Sequence, residues 1–416
     1  MGDTLFSIFL IVIWCVWAPA AFAGGKLFAP LMFLAVLPQL GTLRGTVRSG
    51  LRADILVVIA LLVWLAVTAL WSPANLALVS GSMADGDFSI DAPQIRFGLT
   101  ILAAGLFLAA ALRWDAPAEA RLPLLLLGAI CILLAGLLAV TPLRQTIIDA
   151  RGEGLLPSAQ SIGRALNLLA LSLPLALGVV MIRWPGRRAW ITCAAMVGVF
   201  VIVGVFMDGA AAVIGLLAGV IVLGALHIWP ERGWRRLFDL LSIAVIATPM
   251  AVWMGTAALS GVAASLPVSA HQRLLIWEAT LQRVAAKPLF GHGADASSAW
   301  HSTFAEEPDW LALMPENFAL VRIIPGHPHN MALQVWAETG LVGAALLAAA
   351  FALFGRTVPP PSHLSSGIRL AAAGIFGVAI TLFFVSYSAW DESFWAALAI
   401  VCAALVCLNK TAERGS

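Results

Sequence analysis

The chain contains few charged residues. Asp, Glu, Lys and Arg together make up 11% of its 416 residues, whereas hydrophobic residues make up 61%. Because soluble globular domains carry about 25% charged residues, this composition excludes a soluble enzyme and indicates an integral membrane protein. The chain also has one Tyr beside 16 Trp. Tryptophan is enriched where membrane helices meet the lipid–water boundary, which agrees with that class.

Several kinds of functional site are missing from the sequence. It has no internal repeat, no glycine-rich nucleotide-binding motif and no set of side chains with metal-ligand spacing. We therefore predict that the chain needs no metal and no other cofactor. All five cysteines lie inside apolar runs. Since disulfides form at an aqueous oxidising face, none is expected here.

Long apolar segments recur along the chain. A helix that crosses a bilayer needs about 20 predominantly apolar residues. Such segments lie at about residues 5–23, 27–42, 54–73, 96–113, 122–141, 164–183, 190–206, 210–228, 237–257, 331–354, 369–387 and 392–409. The sequence therefore predicts an all-α integral membrane protein with about twelve transmembrane helices. Residues 1–257 hold nine of them, residues 258–330 form one large loop, and residues 331–416 hold three helices and a tail.

Basic residues are concentrated on one side of the predicted bundle. With the N-terminus in the cytoplasm, the inner loops hold 15 basic and 7 acidic residues, and the outer loops hold 9 basic and 15 acidic residues. The formal charges are then +8 inside and −6 outside. Because Lys and Arg favour cytoplasmic loops, the large loop is predicted to lie outside the cytoplasm. A reaction on that face has no access to ATP and must use an already activated donor.

Two histidines end the large loop, in the sequence Pro325-Gly326-His327-Pro328-His329-Asn330. Asn330 is the predicted N-cap of the tenth span. Histidine exchanges protons near neutral pH. A helix N-terminus attracts anions and disfavours a protonated imidazole, so His329 is suited to act as a neutral base beside a phosphate group. A metal pair formed with His327 would lack a third ligand.

Asn330, Gln334 and Glu338 are spaced four residues apart and form one polar stripe on the tenth span. Glu338 is about 12 Å along the helix from Asn330, at 1.5 Å per residue. A carboxylate at that depth is costly unless it has partners or faces water. The stripe is consistent either with a polar packing cluster between helices or with the wall of a water-filled cavity.

Two of the nine outward basic residues are placed where a substrate could reach them. Arg164 lies at the mouth of the sixth span, and Arg273 opens a predicted interfacial helix at about residues 271–286, which Pro288 should end. The apolar stripe of that helix consists of Leu274, Trp277, Leu281 and Val284. Guanidinium groups bind phosphates bidentately, so both arginines are candidates for holding a lipid-linked phosphate or pyrophosphate. The alternative is that they anchor their helices to lipid headgroups.

Taken together, these motifs resemble the O-antigen ligase and polymerase superfamily of bacterial envelope glycosyltransferases, over most of the chain. The strongest match is His327-Pro328-His329-Asn330 with Leu333-Gln334, Glu338 and Gly340. Next come Arg273-Leu274-Leu275-Ile276-Trp277 and Pro288-Leu289-Phe290-Gly291-His292-Gly293. Weaker matches are Trp71-Ser72-Pro73, Arg164-Ala165-Leu166-Asn167 and Trp390-Asp391-Glu392-Ser393. The chain departs from the family at Asp208-Gly209, where many members carry a Ser-Arg or similar polar pair. The role of Asp208 therefore stays open.

The resemblance implies an O-antigen ligase at the periplasmic face of the bacterial inner membrane. Such an enzyme transfers a glycan from undecaprenyl pyrophosphate to a sugar hydroxyl of lipid A–core, without a metal. Its partners would be the lipid-linked donor, the lipid A–core acceptor and membrane lipids, with no nucleic acid. By position, His329 would be the catalytic histidine with support from Glu338, and Arg273 and Arg164 would bind the pyrophosphate. Further candidates for substrate binding are Arg322, His327, Asn330, Trp277 and Asp391.

Three other functions share some of these features. A polysaccharide polymerase would use a second lipid-linked repeat unit as the acceptor, and the shared motifs do not separate it from a ligase. Protein O-oligosaccharyltransferases also carry the histidine motif. A transporter for a lipid-linked glycan would be expected to show internal repeats, broken helices and ionisable groups near the bilayer midplane. The predicted spans are mostly uninterrupted and the polar features gather at one face, which favours an enzyme.

Overall fold

The computed structural model describes residues 2–22, 25–40, 52–74, 92–114, 155–184, 186–207, 209–259, 268–312 and 314–413. These residues form fourteen α-helices, and the pairing of Thr303 with Arg322 is an isolated antiparallel bridge. The helices are α1 Gly2–Cys15, α2 Trp17–Phe22, α3 Phe28–Val36, α4 Ala53–Thr68, α5 Pro93–Arg113, α6 Leu155–Arg183, α7 Arg187–Phe206, α8 Ala210–Ile228, α9 Gly233–Leu259, α10 Val268–Ala286, α11 Pro308–Leu311, α12 Met331–Phe354, α13 Ser366–Val385 and α14 Glu392–Glu413.

Nine helices of the described residues are long and apolar enough to cross a membrane, namely α4 with the turn that extends it to Trp71, α5 to α9, and α12 to α14. The prediction of an all-α integral membrane protein is confirmed. The first two predicted spans correspond to shorter pieces, because the helix is divided between Cys15 and Trp17 and α3 ends at Val36. The span predicted at 122–141 lies outside the described residues. The total of twelve and the division into three regions stay predictions.

Helix α6 forms the centre of the bundle, and 94% of its most apolar stretch, within Ile162–Arg183, is buried. Beside it, α8 and α13 pack through small residues. A Cβ on Gly377 would lie 2.1 Å from the backbone nitrogen of Gly219, and one on Gly215 would lie 2.9 Å from the Cα of Val378. Small residues let helix backbones approach closely in a membrane, where the hydrophobic effect contributes little to helix association. This close packing fixes α8 and α13 beside α6, and α13 leads into the polar end of the bundle.

The predicted interfacial helix is present as α10, which begins three residues earlier than expected, at Val268, and ends at Ala286. Its apolar stripe packs against protein. Leu274 and Val284 are buried. Trp277, Leu281 and Val284 pack in one apolar cluster with Leu333 of α12 and with the segment between α10 and α12, which we call the outer segment. The stripe is covered because the folded segment after α10 supplies an apolar core of its own. Helix α10 is thereby fixed to α12.

Helix α12 is interrupted at Gly340, where φ is 67° and ψ is −166°. Irregular backbone at membrane depth is tolerated only where protein satisfies its polar groups. Residues 288–293 do so. The N–H groups of His292 and Gly293 donate to Ala337 O at 2.9 Å and Glu338 O at 2.8 Å, and Leu341 N donates to Pro288 O at 2.9 Å.

The motif residues Gly291 and Gly340 are required by this close approach. A Cβ on Gly340 would lie 2.3 Å from the carbonyl oxygen of Leu289, and a Cβ on Gly291 would lie 2.3 Å from the carbonyl carbon of Glu338. Both glycines also have positive φ angles, which side chains disfavour. The uninterrupted span predicted at 331–354 is therefore two helical pieces joined at Gly340.

Candidate active site

His329 immediately precedes the N-cap of α12 and has a left-handed backbone conformation, with φ of 53°. Histidine is among the residues that enter this region more readily than most side chains. Its Nδ1 lies 2.9 Å from the carbonyl oxygen of Ser386. Because a carbonyl oxygen only accepts hydrogen bonds, Nδ1 carries the proton of the neutral ring and Nε2 is left to accept one. The ring thus presents an unprotonated nitrogen that can accept a proton.

The two histidines form a close pair, with ring centroids 4.4 Å apart. Burial lowers the pKa of His327 to about 4 and that of His329 to about 3. The neighbouring His327 and the charges of Arg273 and Arg164 lower the pKa of His329 further, while the Ser386 carbonyl acts in the opposite direction. Both imidazoles are therefore neutral at pH 7, which agrees with the neutral base expected at a helix N-terminus.

Two arginines from different helices lie near this pair. Arg164 of α6 and Arg273 of α10 are both close enough to lower the pKa of His329. Arg273 Nη1 donates to Ser269 O at 3.1 Å, whereas its buried Nε has no hydrogen-bond partner among the described residues. Burial lowers the pKa of the Arg273 guanidinium, yet arginine stays charged in proteins. A half-buried cation with an unused donor is suited to binding an anion.

The short segment between α13 and α14 forms another side of the site. The Tyr387 hydroxyl donates to Arg164 O at 3.5 Å. Asp391 caps α14, because its Oδ1 accepts from Ser393 N at 2.9 Å. Burial raises the pKa of Asp391, and the nearby Arg164 charge lowers it. Asp391 is therefore a helix cap whose carboxylate lies near the charge of Arg164.

Glu338 is fully buried and binds protein groups with both oxygens. Oε1 accepts from Ser297 Oγ at 2.6 Å and Gln334 Nε2 at 3.0 Å. Oε2 accepts from Asp295 N at 2.6 Å and Trp390 Nε1 at 2.5 Å. Of the two alternatives for the polar stripe, the packing cluster is correct and the cavity wall is wrong for Glu338. Its carboxylate joins α12, the outer segment and the start of α14, which together position His329.

Trp277 and Asn330 hold the histidine motif from its two sides. The Trp277 indole N–H donates to Pro328 O at 3.0 Å. Asn330 Oδ1 accepts from Leu333 N at 2.9 Å, which confirms the predicted N-cap. Since the indole N–H and the amide oxygen are both engaged within the protein, these residues position His329.

Not every predicted residue reaches the site. Arg322 is exposed and pairs through its backbone with Thr303, and no described contact joins it to the histidines. Asp208 lies outside the described residues. Among the described residues, no group of three or more His, Cys, Asp or Glu side chains is placed to hold a metal ion.

Sequence reasoning missed three residues that shape the site. Ser386 orients His329 through its carbonyl, Ser297 links Glu338 to the carbonyl of Gly326 at 2.9 Å, and Tyr387 contacts Arg164. Tyr387 is the single tyrosine of the chain, and the polar run Ser386-Tyr387-Ser388 follows directly after an apolar span. The lone tyrosine and this polar run were both visible in the sequence and could have indicated the segment. Ser297 carries no such signal, because isolated serines are common in loops.

Two comparisons with known proteins find similarity over part of the chain. Residues 176–348 match the family described as O-Antigen ligase. A protein of Rickettsia bellii (strain RML369-C), named "Putative polysaccharide ligase", is 29% identical over 140 residues, which cover 33% of this chain and 33% of that protein. The chain is thus matched over about a third of that relative's length. The predicted resemblance to the O-antigen ligase superfamily is confirmed, and the matched family segment contains Arg273, His329 and Glu338.

Proposed function

We propose that the chain is an O-antigen ligase. In this proposal it transfers a glycan from undecaprenyl pyrophosphate to a sugar hydroxyl of lipid A–core, at the periplasmic face of the bacterial inner membrane. The observation that carries the proposal is the geometry around His329. Its Nδ1 is engaged by the Ser386 carbonyl, its Nε2 can accept a proton, and two arginines lie close by.

The proposed reaction is a single displacement. His329 Nε2 accepts the proton of the acceptor hydroxyl, and the hydroxyl oxygen forms a bond to the anomeric carbon of the donor. The bond from that carbon to the pyrophosphate oxygen breaks, and its electron pair leaves with undecaprenyl pyrophosphate. The reaction inverts the anomeric centre. The proton on His329 then passes to the leaving group or to water, which restores the neutral ring.

Arg273 and Arg164 have the charge that the departing pyrophosphate requires. Fixed cations in a site that excludes water stabilise negative charge as it develops in the transition state. The N-termini of α12 and α14 add positive partial charge at the same end of the bundle. Trp277 holds the Pro328 carbonyl next to His329 before the substrate arrives, and the Asp391 carboxylate lies near the Arg164 charge.

Deletion of the gene in its host, followed by gel profiling of lipopolysaccharide, tests the proposal. A ligase is indicated by bare lipid A–core together with polymer that accumulates on undecaprenyl pyrophosphate. Lipid A–core capped by a single repeat unit would indicate a polymerase instead. An unchanged profile would show that the chain does neither.

Complementation of the deletion then tests the role of His329. We expect His329→Ala to insert in the membrane at normal levels and to restore no transfer. His301→Ala is the matched control, because His301 is an exposed histidine of the same outer segment. Normal transfer by His329→Ala would refute the assignment of His329 as the base.

A further inference from the structure

A polar recess lies between α10 and the outer segment, apart from the histidine pair. Its volume is about 70 Å³, and its lining residues are Ala279, Gln282, Arg283, Trp300, Ser302, Glu307, Trp310, Ile323 and Ile324. We name it the Arg283–Trp310 recess. A recess of this volume can take part of a small polar ligand.

The walls of the Arg283–Trp310 recess are held by backbone hydrogen bonds. Ile323 N donates to Ser302 O at 2.9 Å, and Trp310 N donates to Glu307 O at 3.0 Å. The Arg283 guanidinium lies over the Trp300 ring, 5.3 Å from its centroid. These contacts fix the backbone around the recess and the Arg283 guanidinium before any ligand binds, which reduces the entropic cost of binding.

Hydrogen-bonding groups of both kinds are available in the Arg283–Trp310 recess. The side chains of Arg283, Gln282, Ser302 and Glu307 form no hydrogen bond or ion pair with the described residues. Arg283 only donates, Glu307 only accepts, and Gln282 and Ser302 do both. A ligand with several hydroxyl groups offers donors and acceptors at short spacing, and the partly buried Trp310 ring adds an apolar face. This combination matches the two faces of a sugar ring.

The recess is close to the proposed reaction centre. Ile323 and Ile324 precede His327 by four and three residues, so at most about 14 Å of extended chain separates them from it. On α10, Arg283 is six residues beyond Trp277, which is about 9 Å along the helix axis. A glycan whose reacting end is at His329 could therefore reach the recess with a sugar further along its chain.

We propose that the Arg283–Trp310 recess binds a non-reacting sugar residue of a glycan substrate, through hydroxyl hydrogen bonds and contact with the Trp310 ring. The inference rests on the proposed function for the identity of the glycan. The sugar belongs either to the acceptor or to the lipid-linked donor, since both offer the same hydroxyl chemistry. Remote contacts of this kind supply binding energy that fixes the reacting end in place.

Equilibrium binding to the detergent-solubilised full chain tests this directly. Two soluble probes are used, namely the core oligosaccharide released from host lipopolysaccharide by mild acid and the glycan released from the undecaprenyl-linked donor. Saturation-transfer NMR reports which sugar contacts the protein. We expect one probe to bind, and Arg283→Gln to weaken that binding by about tenfold, because a hydrogen bond to a charged group is lost. The probe that binds identifies the source of the sugar.

Matched variants separate the recess from charge and from folding. Lys287→Gln removes a positive charge four residues further along, from an exposed position that does not line the recess, and should leave binding unchanged. Trp310→Phe should keep most of the binding that Trp310→Ala loses. Equal binding by Arg283→Gln and Lys287→Gln, or no binding of either probe by the wild-type chain, would overturn the proposal.

The same measurement distinguishes this proposal from the proposed function. His329→Ala should still bind the oligosaccharide through the recess while it transfers no glycan. If the wild-type chain binds a probe through Arg283 but gene deletion leaves the lipopolysaccharide unchanged, the recess stands and the ligase proposal fails.

Discussion

At the scale of single residues, the site depends on groups whose hydrogen bonds fix them in one state. The Ser386 carbonyl selects the tautomer of His329, and the Pro328 carbonyl is held by Trp277. Glu338 is different, because its two oxygens are fully engaged inside the protein. A buried carboxylate with this many donors is stabilised without a substrate. We therefore assign Glu338 to positioning and His329 to proton transfer.

If His329 is the base of the proposed reaction, the pH dependence of catalysis follows from its lowered pKa. Burial sets this pKa at about 3 in the free protein, so the neutral ring that accepts a proton persists well below pH 6.5. Since kcat/KM reports groups of the free enzyme, we expect kcat/KM to stay constant from pH 8 down to about pH 5. The measurement is glycan transfer in detergent at several pH values.

A matched variant controls for other histidines in that experiment. His301→Gln should give the same profile as the wild-type chain, because His301 is exposed and distant in sequence from the pair. A kcat/KM that falls to half its value near pH 6.5 because His329 becomes protonated would show that the pKa of His329 is not lowered. That result would contradict this interpretation.

At the scale of elements, the central feature is the junction between broken helix α12 and residues 288–293. The junction brings together the apolar span that carries Gln334 and Glu338 and the segment that carries Asp295 and Ser297. Trp64 also donates to Thr339 O at 2.9 Å, next to the break. Broken helices are typical of transporters, where they expose backbone groups to a substrate. Here the carbonyls of Ala337 and Glu338 accept from His292 and Gly293, so the break serves to attach the outer segment.

Substitution of Gly340 tests this element. Gly340→Ala should destabilise the protein by more than about 1–3 kcal/mol, the usual cost of a side chain in such a backbone region, because its Cβ would also meet the Leu289 carbonyl at 2.3 Å. Thermal unfolding in detergent measures the change. Gly105→Ala is the control, since Gly105 lies within α5 and a Cβ there meets nothing within 4 Å. Equal melting temperatures for the two variants would contradict the role of the junction.

At the scale of the whole molecule, the polar site gathers at one end of the bundle. The starts of α12 and α14 lie there with Arg164 and Arg273, whereas the ends of α5 and α14 meet at the other end. There, Lys410 Nζ donates to Ala111 O at 3.2 Å and Trp114 O at 2.8 Å, which caps the carbonyl end of α5. Charge distribution in the sequence predicts that the second end is cytoplasmic.

Cysteine labelling tests this orientation. In a variant whose native cysteines are replaced, Arg322→Cys should react with a membrane-impermeant maleimide on intact spheroplasts, because Arg322 is exposed on the outer segment. Arg232→Cys, which is exposed between α8 and α9, should react only after the membrane is permeabilised. The reverse pattern would invert the topology and place the site in the cytoplasm, where the proposed periplasmic donor would be absent.

The sequence by itself determined the class of protein and the residues around which the site is built. Apolar length and the spacing of charges predict membrane helices, and the helix N-terminus after His329 predicts a neutral imidazole, because both depend on local chain properties. Only the tertiary structure decided that Glu338 is a buried junction, that the stripe of α10 faces the protein and that α12 breaks at Gly340. It also decided that Ser386 orients His329, 57 residues away in sequence. Such contacts depend on which backbones approach one another, and local patterns do not encode that choice.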